Sequence, residues 1–106
     1  MSWWPGKHLL QYVTQSESFD RSAFVRAAPV AFCGLVFRTN NVDNIIVSVY
    51  DSTSASGTLL LPEEFIVPGS ASLWTMSLDP PLMAWDGIFV KITGSGGRYQ
   101  VLYDEG

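Results

Sequence analysis

The chain is poor in the residues that enzymes and metal centres most often use, with one cysteine and one histidine among 106 residues. A single cysteine allows no intramolecular disulfide and no thiolate zinc site. Cys33 stands between Phe32 and Gly34 in an apolar run, so it reads as a buried, reduced thiol. The histidine, His8, precedes every expected strand. A serine or cysteine nucleophile would have no other imidazole to take its proton, which argues against a histidine-based triad.

Charge is also scarce. Charged residues make up 15% of the chain, and the six basic ones, Lys7, Arg21, Arg26, Arg38, Lys91 and Arg98, are scattered in a chain of net charge −4. They form no stripe on which a phosphate backbone would lie, so nucleic acid is not an expected partner. No apolar run approaches the ~18 residues of a membrane span, and the first residues lack a basic region followed by an apolar one. The expectation is a protein made and kept in a reducing cytoplasm, without membrane insertion. Helical periodicity over eleven or more residues is missing as well.

What remains is an apolar, β-patterned chain. Apolar residues at 47% and aromatic residues at 13% give one core for a single domain of this length. The low charge suggests a surface partly covered by neighbours. The clearest stretch is residues 87–103, where Ile88, Val90 and Ile92 alternate with Phe89, Lys91 and Thr93. After Gly94, Ser95, Gly96 and Gly97, a second run sets Tyr99, Val101 and Tyr103 against Gln100 and Leu102. This predicts a β-hairpin with Ile88, Val90 and Ile92 toward the core and Phe89 and Lys91 toward solvent or a neighbour.

Other runs read similarly. Residues 30–39 are apolar on both faces and predict a central strand, with Phe32, Gly34 and Val36 on one side and Cys33, Leu35 and Phe37 on the other. Residues 45–51 predict a β-branched strand. In residues 71–78, Trp74, Met76 and Leu78 oppose Leu73, Thr75 and Ser77. Asn40 to Asn44 and Pro68-Gly69 are turn signals, and Asp79-Pro80-Pro81 reads as a break before a short segment at residues 82–85. The expected fold is all-β, an antiparallel β-sandwich of about seven to eight strands, jelly-roll-like or a small barrel. Residues 1–21 form an N-terminal arm and connector, the latter a place for a short strand, and residues 22–106 the sandwich.

No catalytic residue, metal ligand or cofactor site is expected. Glu63 and Glu64 follow Pro62 in a loop and read as a solvated charge pair, although a carboxylate pair for a small hydrolase stays open in principle. Asp43, Asn44 and Asp51 could gather at one end of a sandwich, but turn chemistry accounts for them and no calcium-loop run is present. The glycines at 94, 96 and 97 precede no helix and no Lys-Ser/Thr, so they read as a turn rather than a phosphate cradle. Trp74 and Trp85 lie in apolar segments and are expected in the core. The arm is aromatic and costly to leave in water. Trp3, Trp4, Leu9, Leu10 and Tyr12, together with Phe89, are therefore the candidate partner-binding residues.

Several marks occur in order: Arg26 to Pro29 with Gly34, Val49-Tyr50-Asp51 with Ser54 to Gly57, Pro68-Gly69, and Asp86-Gly87-Ile88. In these the chain resembles small β-sandwich structural proteins of tailed bacteriophages, over about residues 22–103. The resemblance implies a non-enzymatic virion protein, most often a head decoration or cement protein. Such a protein binds the major capsid protein or other virion subunits and forms a homo-oligomer, commonly a trimer. Specificity would then lie in the aromatic arm and the polar loops, with residues 87–103 as scaffold. The alternative from the residues themselves is a carbohydrate-binding sandwich module that stacks exposed tryptophans on sugar rings.

Overall fold

The computed structural model describes residues 14–27, 29–94 and 97–105. Over these described residues the fold is all-β, with nine strands: β1 (Thr14–Gln15), β2 (Ala23–Ala27), β3 (Val30–Arg38), β4 (Ile45–Asp51), β5 (Thr58–Leu59), β6 (Phe65–Val67), β7 (Leu73–Ala84), β8 (Gly87–Thr93) and β9 (Arg98–Asp104). They form a four-stranded sheet ordered β1-β9-β3-β7 and a five-stranded sheet ordered β2-β8-β4-β5, with β6 also pairing with β4. Every named pair is antiparallel.

The pairing is nested. β1 pairs with β9, β2 with β8, β3 with β7, and β4 with both β5 and β6. If β5 and β6 are taken as one interrupted strand, the chain is a long ribbon folded at the β4–β5 turn and wrapped into two sheets. This is the jelly-roll order.

That topology corrects the expected hairpin at residues 87–103. β8 and β9 follow one another in the chain but lie in opposite sheets, β8 beside β2 and β4 and β9 beside β1 and β3. Both strands have a strong apolar face, and placing them opposite each other buries both faces in one core. Gly94 serves the crossing. Gly94 has φ +115, and a Cβ there would stand 2.8 Å from the carbonyl oxygen of Asn44. Local alternation identified the strands; it carries no information about which sheet each joins.

The core is drawn from both sheets. Val30, Phe32, Leu35 and Phe37 of β3 and Tyr99, Val101 and Tyr103 of β9 meet Ile45, Val47 and Val49 of β4 and Ile88 and Val90 of β8. Each fully buried aliphatic or phenyl group contributes roughly 1.5–3 kcal/mol. An aromatic file crosses this core, with centroid separations of 5.6 Å for Phe19–Tyr99, 5.3 Å for Tyr99–Phe37, 6.1 Å for Phe37–Trp74 and 5.3 Å for Trp74–Phe65. It links the connector, three strands of one sheet and β6 of the other.

β3 is central, as its two apolar faces suggest, but its alternation is broken. Its register shifts between Phe32 and Gly34 against both neighbours. The bulge reverses the sidedness, so Val30 and Phe32 share the core with Leu35 and Phe37. Phe32 and Leu35, expected on opposite faces, are both fully buried in the core. The glycine inside the strand was the signal for a bulge.

β7 differs from expectation too. Residues 79–81 do not end it; the strand runs through a cis Asp79-Pro80 bond to Ala84. Among the described residues β7 is an edge strand paired only with β3, so the prolines leave no second described partner without a donor. Residues 14–21 lie against β9. β1 pairs with it, Phe19 and Tyr99 exchange backbone hydrogen bonds of 2.9 and 2.8 Å, and the Tyr99 hydroxyl donates to the Arg21 carbonyl oxygen at 2.8 Å.

Candidate functional site

Alternation in β2, β4, β6 and β8 sends one set of side chains into the core and the other to the outer face of the five-stranded sheet, where both residues of β5 are exposed. The register aligns part of that outer set into a row. Phe24 pairs with Phe89, Phe89 with Tyr50, and Tyr50 with Leu59, four side chains crossing four strands. Phe24 is 43% exposed and Leu59 38%, while Phe89 and Tyr50 are half-buried between them. Further along the same face, Ile46 pairs with Ile66, which is 58% exposed.

One charge stands between these groups, that of Lys91, opposite Ser48. The row depends on Gly87, whose missing Cβ leaves room for the Phe24 ring; an added one would stand 2.7 Å from Phe24 Cε1. At the end of the sheet, Asp86 donates its backbone N–H to Asp51 Oδ1 at 2.7 Å, tying the β7–β8 corner to the end of β4.

Of the candidate partner-binding residues, Phe89 lies in the middle of this row. Trp3, Trp4, Leu9, Leu10 and Tyr12 lie outside the described residues, as does His8. Phe24, Tyr50, Leu59, Ile46 and Ile66 were not singled out from the sequence. Alternation turns Phe24, Tyr50, Ile46 and Ile66 away from their strands' core sides, but only the strand order makes them neighbours of one another and of Leu59.

The tryptophans separate. Trp74 packs between Phe37 and Phe65, as expected of a core residue. Trp85 is a correction, because it is 68% exposed. Ala84 occupies the inward position at the end of β7 and is fully buried, so the next side chain points outward.

Among the described residues the polar side chains flanking β4 stay apart. Asp43 and Asn44 precede β4 and Asp51 ends it, so the three stand at opposite ends of a seven-residue strand rather than gathering at one end. Each has its own partner: Asn40 Nδ2 donates to Asp43 Oδ2 at 2.9 Å, Gly69 N–H to Asn44 Oδ1 at 2.8 Å and Asp86 N–H to Asp51 Oδ1 at 2.7 Å. Asn41, at φ 69, closes the turn that these residues predicted. Among the described residues no three His, Cys, Asp or Glu side chains come together as a metal site. Glu63 and Glu64 are exposed. Cys33 is buried, and its thiol is pushed up to about 11 by desolvation, with the negative charge of Asp104 adding to the effect.

No helix among the described residues is long and apolar enough to cross a membrane. Comparison with known proteins finds no match to a family model, to a curated protein or to a solved structure.

Proposed function

We propose that this chain is a non-enzymatic virion structural protein, a capsid decoration or cement subunit that stabilises a phage particle by docking on neighbouring subunits. The observation that carries the reading is the in-register row Phe24–Phe89–Tyr50–Leu59 on the outer face of the five-stranded sheet. Aromatic and aliphatic groups held on a rigid sheet lose little side-chain entropy on docking, and burying them supplies association energy. The occupant that fits is an apolar face of a neighbouring protein subunit with a carboxylate opposite Lys91. Repeated copies on a lattice convert such modest contacts into stable attachment. A homo-oligomer, with a trimer favoured, fits the same use of the face.

The jelly-roll order serves viral capsid subunits and lectins alike, so it supports this setting only by analogy. Quantitative mass spectrometry of purified particles from a host carrying the gene tests the proposal. A fixed copy number per particle is expected; a monomer absent from particles would sink it.

The second reading, a carbohydrate-binding module, has one observation in its favour, the exposed Trp85 beside Asp86. A glycan array distinguishes the two. Binding abolished by Trp85→Ala would favour the module.

A further inference from the structure

On the opposite side of the molecule, the outer face of the four-stranded sheet brings two of the chain's few cations together. Arg38 of β3 and Arg98 of β9 are direct cross-strand partners. Like charges in that relation repel and destabilise a sheet. Among the described residues neither arginine forms an ion pair; the two ion pairs there belong to Arg21 and Arg26. Both side chains are exposed and line a cleft of about 170 Å³ together with Ser18, Val36, Leu73 and Gln100. Arg98 Nε donates to Ser18 Oγ at 3.0 Å, which fixes one guanidinium at the cleft wall. Leu73, paired with Arg38 on the edge strand, is 57% exposed and supplies an apolar flank.

We infer that this cleft is a carboxylate-binding site that receives an acidic side chain from a segment of a partner protein. Two guanidinium forks present planar donors that match a carboxylate in bidentate geometry, and a bound anion would relieve the repulsion that the bare pair carries. A like-charged cross-strand pair with no ion pair to offset it among the described residues is the kind of local conflict a functional site leaves in a fold. The ligand is a single carboxylate on a peptide rather than a polyanion. Glu17 and Asp20 lie beside Arg98 around the adjoining hollow, and their charges oppose a phosphate chain while leaving room for one side chain. The site does not rest on the docking reading above, because it occupies the other face of the sandwich.

The test uses the full chain and a fluorescein-labelled, C-terminally amidated peptide with one glutamate among glycines and serines, followed by anisotropy at about 20 mM NaCl, where screening is weak. Oligothymidylate and inorganic phosphate serve as competing probes. The one-glutamate peptide is expected to bind, and Arg38→Gln or Arg98→Gln to weaken it about tenfold. Arg98→Lys, which keeps the charge without the fork, should fall between. In a parallel melt, Arg38→Gln should raise Tm by about 2 °C at low salt, with the gap closing at high salt. Unchanged binding of the one-glutamate peptide in the glutamine variants overturns the inference, as does tighter binding of oligothymidylate or phosphate. A lowered Tm for Arg38→Gln also overturns it, since the arginine pair would then be structural.

Discussion

Gly34 on β3 and the carbonyl oxygen of Met76 on β7 approach so closely that no side chain fits between them. A Cβ built at Gly34 would run into that oxygen, and backbone stands behind it on every near side. This contact seats the edge strand on the central one where both are out of register. Gly34→Ala is therefore expected to cost about 3 kcal/mol, by overpacking against atoms that cannot yield. Urea denaturation followed by tryptophan fluorescence checks it. A loss well under 1 kcal/mol would show that β7 shifts freely.

Tyr99 joins the aromatic file to the connector through its hydroxyl and the Arg21 carbonyl oxygen. Tyr99→Phe keeps the ring and leaves that oxygen without its donor, so a loss of about 1–2 kcal/mol is expected. Chemical denaturation of the pair of proteins measures it.

Alkaline pH should destabilise the fold through two buried acids. The Cys33 thiol is pushed up to about 11, from 9.0 when exposed, by desolvation first and then by Asp104; the Tyr99 phenol is raised by desolvation and then by Asp20. In each case the folded state holds its proton more tightly than the unfolded one. The stabilising contribution is therefore complete below the exposed group's titration and is lost as pH rises through the folded one. The urea midpoint should fall between pH 9 and 11, and Cys33→Ala should flatten the first part of that fall. Thiol labelling at pH 8 should be slow until the chain is unfolded.

Arg26 ties the two sheets at one end, pairing with Glu105 and lying 5.3 Å from the centroid of the Tyr103 ring. Both charged groups are substantially exposed, so salt screens the pair. Arg26→Ala is expected to cost less than about 1 kcal/mol, with the difference shrinking in high salt. Thermal melts at two ionic strengths check both parts.

Much of the fold was legible because burial imposes a period of two on each strand. Ile88, Val90 and Ile92 are inward and Phe89 and Lys91 outward, and Trp74, Met76 and Leu78 pack inward from β7 as their spacing predicts. What alternation does not encode is long-range pairing. The glycines at 94 and 97 suit a tight hairpin and a crossing between sheets equally well, and only the packing of two apolar faces decides for the crossing. The bulge at Gly34 and the passage of β7 through Pro80 and Pro81 are set by neighbours distant in sequence. For the same reason the candidate site was only glimpsed, through Phe89. Its companions Phe24, Tyr50 and Leu59 come from three separate stretches that the nested topology brings together.

The most direct test of the docking account compares particles assembled with wild-type chain and with Phe24→Glu or Ile66→Glu, two outward positions whose substitution leaves the core untouched. Copy number per particle by quantitative mass spectrometry is the readout, with circular dichroism confirming that each variant is folded. The account expects wild-type chain at fixed stoichiometry and folded variants reduced by about tenfold or more, as the loss of a buried apolar anchor requires. Wild-type chain missing from particles, or folded variants retained at wild-type copy number, would contradict it.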